Sequence, residues 1–233
     1  LQVLSAERHH RKIRRGSLQG NRFAIRVDRV QGDRDRAEQR LQKIAAAGVP
    51  NYFGAQRFGR DGQNLQRVAE LFAGRGRKPN REKRGLLLSA ARSQLFNQLL
   101  ATRVADGSWN RAVPGEVMLL AGSQRQFMYD PEDTTIGPRL DVLDIHPSGP
   151  LCGRPSRALV PESDAQSTEH GALQGRADWI DGLQRFGVDG DRRALRLAVE
   201  DLHWDWTDDV LQLEFRLVAG AYATVVLREI VKP

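Results

Sequence analysis

Cysteine is nearly absent: Cys152 is the only one among 233 residues. A single thiol cannot build a disulfide framework within the chain, and it fits a reducing compartment. Paired Cys/His clusters at zinc spacing are missing too. His9 and His10 are adjacent, so they cannot form the usual helical ligand pair. No run of about 18 apolar residues occurs, which argues against a membrane span. The segment from Leu1 to Gly16 is basic but has no apolar signal core. These absences point to a cytoplasmic protein with no membrane association and no metal site.

Lysine is the second scarcity, at 5 of the 36 basic residues, which leaves 31 arginines. Arginine's planar fork suits bidentate phosphate contacts and stacking on bases. The codon bias of a GC-rich genome would equally explain the ratio. It would not explain where the charges sit. Residues 1–100 carry 22 Lys/Arg against 8 Asp/Glu, a balance of +14, and residues 101–233 carry 14 against 21, a balance of −7. A basic half beside an acidic half indicates a face for a polyanion. At this length two domains are plausible.

Arg8, Arg11, Lys12, Arg14 and Arg15 form a basic run that is either a solvated strand end or a phosphate contact. Asn21 to Val30 alternates, with Phe23, Ile25 and Val27 on one face, and predicts a half-buried strand. Asp33 or Asp35 can cap a following helix with Ala37, Leu41, Ile44 and Ala45 inward and Gly48 as its terminator. Asn64 can cap a short helix carrying Leu65, Val68, Leu71 and Phe72. Gly74 to Arg84 has linker composition, and Gly85 to Val104 has helical spacing. Val113 to Ala121 and Arg125 to Tyr129 predict strands. Residues 130–193 show little periodicity and are expected to be irregular, with a helix near Asp178 to Phe186. Leu202 to Trp206, a turn at Thr207-Asp208-Asp209, and the alternation of Leu211, Leu213, Phe215 and Leu217 predict a hairpin. A helix is expected over Tyr222 to Val231. Trp204 and Trp206 share one strand face and read as core, with base stacking as the alternative.

The most informative stretch is Asn51-Tyr52-Phe53-Gly54-Ala55-Gln56-Arg57-Phe58-Gly59. Amides, aromatics and an arginine crowd into one segment without strand alternation. An ordinary buried aromatic turn is one reading; a wall for a nucleobase with its phosphate is the other. The stretch resembles the signature of the TruD family, the tRNA pseudouridine-13 synthases. Ser89-Ala90-Ala91-Arg92-Ser93-Gln94-Leu95-Phe96-Asn97, then Pro147-Ser148-Gly149-Pro150-Leu151 with Gly153, then Ala219 to Glu229 extend the resemblance in the family's order. It covers the chain from about His10 onward, with a weak middle.

One departure stands against this agreement. The family's catalytic aspartate follows a lysine in a Gly-x-Lys-Asp segment that precedes all of these stretches. No Lys-Asp dipeptide occurs here, and the chain starts at Leu1 rather than Met. The resemblance therefore implies the carboxy-terminal two thirds of such an enzyme without its nucleophile. Asp61, Asp208 and Asp209 read as turn residues, and no base is placed for Cys152, so none of them is a convincing substitute.

The resemblance implies an α+β fold: a pseudouridine-synthase core remnant, with a mixed, mostly antiparallel sheet and helices, plus an inserted α/β TRUD domain. The core would span 1–76 and 197–233 and the insertion 77–196, with exposed strand edges where the sheet is incomplete. It places Asn51 against the substrate uridine, Phe53 in the pocket wall and Tyr222 against the target base. It favours phosphate contact for Arg11, Lys12, Arg14 and Arg15. Arg57 joins them as a weaker candidate, and like Gln56 and Arg92 it can equally be structural. Phe58 and Phe96 read as core. The implied activity is isomerisation of a specific tRNA uridine by a monomer that needs no cofactor, with this chain inactive alone. A noncatalytic tRNA-binding protein of the same descent is the alternative.

Overall fold

The computed structural model describes Arg8, residues 18–76 and residues 78–231. The basic residues Arg11, Lys12, Arg14 and Arg15 lie outside the described residues. The fold is α+β. Strand β1 (Gly20–Val27) leads into α1 (Arg34–Ala47). The Asp33 carboxylate accepts the Arg36 N–H at 3.1 Å and caps that helix. Gly48, at φ 71°, ends it; a Cβ there would stand 2.3 Å from the Leu197 carbonyl oxygen. The chain passes directly into β2 (Val49–Pro50).

A turn and a 3-10 segment, Ala55–Phe58, follow, then α2 (Gln63–Phe72) and α3 (Arg81–Ala105). The cap position of α2 is Gly62 rather than Asn64, whose side-chain amide lies 3.5 Å from the Arg57 carbonyl. Asn80 caps α3 through the Lys83 N–H at 2.9 Å, so the end of the expected linker at 74–84, from Arg81 to Arg84, is helix. Its Arg-Glu-Lys-Arg composition is good helix material on an exposed first turn.

The segment expected to be irregular is well ordered. After β3 (Val117–Leu120) and β4 (Gln126–Met128) come α4 (Ile136–Asp141), β5 (Ile145–Leu151), α5 (Ser163–Ala172), α6 (Ala177–Arg185) and β6 (Asp191–Ala194). The chain then returns through β7 (Arg196–Leu197), β8 (Glu200–Thr207), β9 (Val210–Val218) and α7 (Ala223–Ile230). Among the described residues, no helix is long and apolar enough to cross a membrane.

Two sheets carry the architecture. The first has the order β1-β9-β8, all antiparallel, with β1 and β8 as its edges. Leu211, Leu213, Phe215 and Leu217 of β9 are buried against Leu41 and Ile44 of α1 and Val225, Val226 and Ile230 of α7. Each fully buried side chain of this kind contributes about 1.5–3 kcal/mol. Gln212, Glu214 and Arg216 face solvent. Trp204 and Trp206 are half-buried against this core, and their indoles donate to Glu38 at 2.8 and 2.6 Å.

The second sheet has the order β4-β3-β5-β6. The Pro147-Ser148-Gly149-Pro150 stretch, expected as irregular, is its strand β5. Burial overrides composition here: β5 pairs with β3 through residues 145–147 and with β6 through residues 148–151. Gly149 is required by packing, because a Cβ would stand 2.8 Å from Leu99 Cδ2, 2.9 Å from Leu195 Cδ2 and 3.3 Å from Phe96 Cε2.

Candidate functional site

The candidate site lies where the Asn51 turn meets the track that leads from β6 into β7. Asn51 is buried and is held by three successive residues of that track. Its backbone N–H donates to the Leu195 carbonyl at 2.8 Å. Its side-chain Nδ2 donates to the Ala194 carbonyl at 2.8 Å, and its Oδ1 accepts from Arg193 Nη2 at 2.6 Å. Pro147 helps to make this possible. The Leu195 N–H donates to the Pro147 carbonyl at 2.8 Å. The reciprocal bond of an antiparallel pair cannot form, because proline has no N–H. The Leu195 carbonyl is thereby left for Asn51.

Phe53 is fixed from α3. Its N–H donates to Asn97 Oδ1 at 2.9 Å, and Asn97 Nδ2 donates back to its carbonyl at 3.0 Å. Around its ring stand the edge-on rings of Phe96 at 5.6 Å and Tyr222 at 6.2 Å. The guanidinium carbon of Arg193 lies 4.1 Å from the ring centroid and that of Arg57 5.6 Å. Tyr222 sits immediately before α7, and a Cβ on Gly54 would meet its ring at 3.1 Å, so the turn and the aromatic approach closely. Arg57 Nε donates to the Tyr222 hydroxyl at 2.9 Å and Arg57 Nη1 to Ser89 Oγ at 3.1 Å. Asn51, Phe53, Tyr222 and Arg57 therefore meet in one cluster, with Arg57 half-buried and held by Tyr222 and Ser89.

Arg193 is the residue that sequence reasoning missed. It follows Arg192 in an arginine-rich chain, within a strand that has no apolar pattern, Asp191–Ala194. Neither composition nor spacing distinguishes it. Burial pulls its guanidinium down to about 10, with Tyr222 acting against that shift and Arg57 adding to it. The group stays charged at neutral pH. Among the described residues, no carboxylate pairs with Arg193 or Arg57. Two cations share one aromatic platform without an anion. Asn51 spends one of its two amide protons and one of its two acceptor sites, leaving one of each.

The other candidates fall elsewhere. Arg92 Nη2 bonds the carbonyls of Leu151 at 3.3 Å and Asp189 at 2.8 Å, which ties α3 to the end of β5. Gln56 is exposed, Phe58 is half-buried and Phe96 is fully buried. Asp61 and Asp208 occupy left-handed turn positions at φ 52° and 54°. Cys152 is buried, and burial pushes its thiol up to about 11, so it holds its proton at neutral pH. A cavity of about 1090 Å³ opens between the end of β1, α1 and α7, lined among others by Arg34, Arg40, Trp206 and Arg228. Its charges are mixed, since Asp28, Asp33, Asp208 and Asp209 also line it. The convergence of amide, aromatics and unpaired cations marks the Asn51 cluster instead.

The chain is 45% identical over 229 residues to the tRNA pseudouridine synthase D of Hydrogenovibrio crunogenus, covering 98% of this chain and 65% of that protein. It is 48% identical over 231 residues to the protein of the same name from Methylococcus capsulatus, covering 99% and 65%. The chain thus spans about two thirds of the length of these relatives. In structure it resembles a putative tRNA pseudouridine synthase D from Methanosarcina mazei, with a TM-score of 0.67, 20% identity, and coverage of 94% of this chain and 70% of that one. That likeness establishes the fold. The model of the family described as tRNA pseudouridine synthase D (TruD) matches residues 1–78 and 77–230, and the chain belongs to that family.

Proposed function

We propose that this chain forms the base-binding part of an enzyme that isomerises a specific uridine of tRNA to pseudouridine. The reaction breaks the bond from uracil N1 to the ribose, turns the base, joins C5 to the same sugar carbon, and moves one proton from C5 to the medium while N1 gains one. Atoms balance without cofactor or energy source. The base must leave the stack to react. A site for it needs an aromatic wall, a polar partner for its edge and a carboxylate at the reacting bond.

The observation that carries this reading is the meeting of Asn51, Phe53 and Tyr222 around one unpaired pair of guanidinium groups. The amide's remaining donor and acceptor match the O4 and N3–H of uracil. The carboxylate is not identified among the 233 residues: Asp61 is exposed on a turn, Asp208 and Asp209 belong to the β8–β9 turn, and no Lys-Asp dipeptide occurs. We therefore assign this chain no turnover of its own. The division of the chain into 1–76 with 197–233 and 77–196 belongs to the same proposal. Packing favours moving α2 into the second unit, since Val68 and Phe72 pack with Leu87, Leu95 and Leu183. A cytoplasmic monomer acting on tRNA completes it.

The test measures pseudouridine in a tRNA transcript after incubation with this chain, and with a chimera joining it to the part of the Methylococcus capsulatus relative that it does not span. Turnover is expected from the chimera alone. Product formed by the 233 residues unaided would refute the assignment of the carboxylate. Salt-sensitive tRNA binding by both proteins with turnover by neither would favour a noncatalytic RNA-binding protein.

A further inference from the structure

We propose that Arg193 is a positioning residue: by holding Asn51 Oδ1 while it stacks on Phe53, it fixes the rotation of the Asn51 amide and so decides which edge of a base the site accepts. The inference rests on the function proposed above but concerns a residue that neither the family resemblance nor the sequence reading assigns.

The geometry leaves Arg193 two separate anchors. Its Nη2 donates to Asn51 Oδ1 at 2.6 Å and lies 3.5 Å from the Gly220 carbonyl, at the turn that delivers Tyr222. Its guanidinium carbon lies 4.1 Å from the centre of Phe53 and 5.7 Å from that of Phe96. Charge-assisted hydrogen bonds are roughly twice as strong as neutral ones, and the planar group stacks as lysine cannot. With Oδ1 held by Arg193 and Nδ2 by the Ala194 carbonyl, the amide cannot turn over without losing both partners. A flipped amide would point Nδ2 at a cation and Oδ1 at a carbonyl, repelled on both sides. The amide therefore presents its donor and acceptor in one order. Uracil offers N3–H between two carbonyls, whereas cytosine offers an unprotonated N3 beside an amine. One fixed order of donor and acceptor discriminates between them. The track itself is rigid: Arg192, one residue earlier and on the opposite sheet face, is buried and bonded to Ser148 Oγ at 2.7 Å and its carbonyl at 2.9 Å.

Three measurements separate positioning from other roles. In the chimera, Arg193→Met should lower kcat about 10²-fold while leaving KM for tRNA and the salt dependence of binding unchanged. In an Asn51→Ala background, Arg193→Met should cost nothing further, because its effect passes through Asn51. Arg193→Lys, which keeps charge and a donor but not the stack, should recover part of kcat. Additive losses in the double variant, or a salt slope reduced by about 0.7–0.9, would instead make Arg193 an independent phosphate contact and overturn the proposal. A readout without turnover keeps the proposal distinct from the function it rests on. In this chain alone, the Asn51 side-chain amide protons should exchange slowly with solvent by NMR, and Arg193→Met should speed that exchange. If the chimera makes no pseudouridine but this change is seen, the clamp stands and the function falls. Unaltered amide exchange in a folded Arg193→Met or Arg193→Lys variant would sink the clamp itself.

Discussion

Two pairs of arginines sit inside this molecule, and they are treated in opposite ways. Arg103 of α3 and Arg192 of β6 are buried, each with a carboxylate: Arg103 meets Glu116 at 2.7 Å, and Arg192 meets Glu169. Further bonds from Arg103 Nη2 reach the carbonyls of Ser108 at 2.8 Å and Arg111 at 3.1 Å. Arg57 and Arg193 flank Phe53 with no acid paired to either among the described residues. Compensated buried charges fix one arrangement of the chain. Uncompensated ones over an aromatic face leave a local positive field that an anionic ligand would satisfy. The same residue type thus serves architecture in one place and the site in the other.

The sharpest way to break this comparison is to remove a compensated arginine. Arg103→Met leaves Glu116, which is fully buried, without its partner. Losses of about 3–5 kcal/mol accompany the breaking of such pairs, and urea unfolding should show a loss of that order. A loss below about 1 kcal/mol would mean that the pair acts as a surface pair does and that the contrast is false. Burial already pushes the Glu116 carboxyl above its ordinary value, with Arg103 opposing it. Some of the loss should therefore be relieved by lowering the pH, as Glu116 takes up a proton.

The opposite substitution tests the other side. Asn51→Ala in the chimera should reduce turnover about 10²-fold, the scale of a misplaced catalytic contact, with tRNA affinity nearly unchanged. Equal losses in turnover and affinity would reduce Asn51 to a group that only positions RNA. Gly149→Ala joins the two regions, since its Cβ would press on Phe96, the ring that supports Phe53. Overpacking of about 1–3 kcal/mol is expected, with a weaker effect on turnover. Full stability in thermal unfolding would show that Leu99, Leu195 and Phe96 can give way.

The first sheet was legible in the sequence because its strands have one wet face. Leu211, Leu213, Phe215 and Leu217 alternate with Gln212, Glu214 and Arg216, and a period of two is what the eye can read. In the region from 130 to 193 only α6, expected near Asp178 to Phe186, was legible; the rest was not, for identifiable reasons. In α5 only Ala165 and Glu169 are buried, so no apolar stripe exists to find. Strand β6 is Asp-Arg-Arg-Ala and owes its place to neighbours rather than to hydrophobicity. Strand β5 holds two prolines that composition reads as loop. At the candidate site, motif resemblance singled out Asn51, Phe53 and Tyr222, and the structure brings them together. Arg193 carried no signal, because its significance lies in contacts with residues more than a hundred positions away.

The smallest expected effect concerns a third kind of arginine partner on the same track. Arg196 Nε donates to His146 Nδ1 at 3.1 Å, and Arg196 Nη2 bonds the carbonyls of Leu140 and Ile145 at 2.8 and 2.7 Å. His146 must be neutral to accept that bond. Burial first, and then the nearby Arg196 charge, bring its value from 6.5 to about 4. A base depressed in the folded state contributes stability above its unfolded value and loses it as the pH falls. The window therefore runs from about 6.5 down to about 4, with a slope of up to about 1.4 kcal/mol per pH unit. Glu116 and Glu169, both raised, act in the opposite sense: their contribution is present below their ordinary range and lost as the pH rises. Comparison with His146→Asn, which keeps an acceptor but does not titrate, removes that background. The stability of the parent relative to the variant should decline steadily between pH 6.5 and 5. A flat difference would show that His146 titrates normally and that burial beside Arg196 does not hold it neutral.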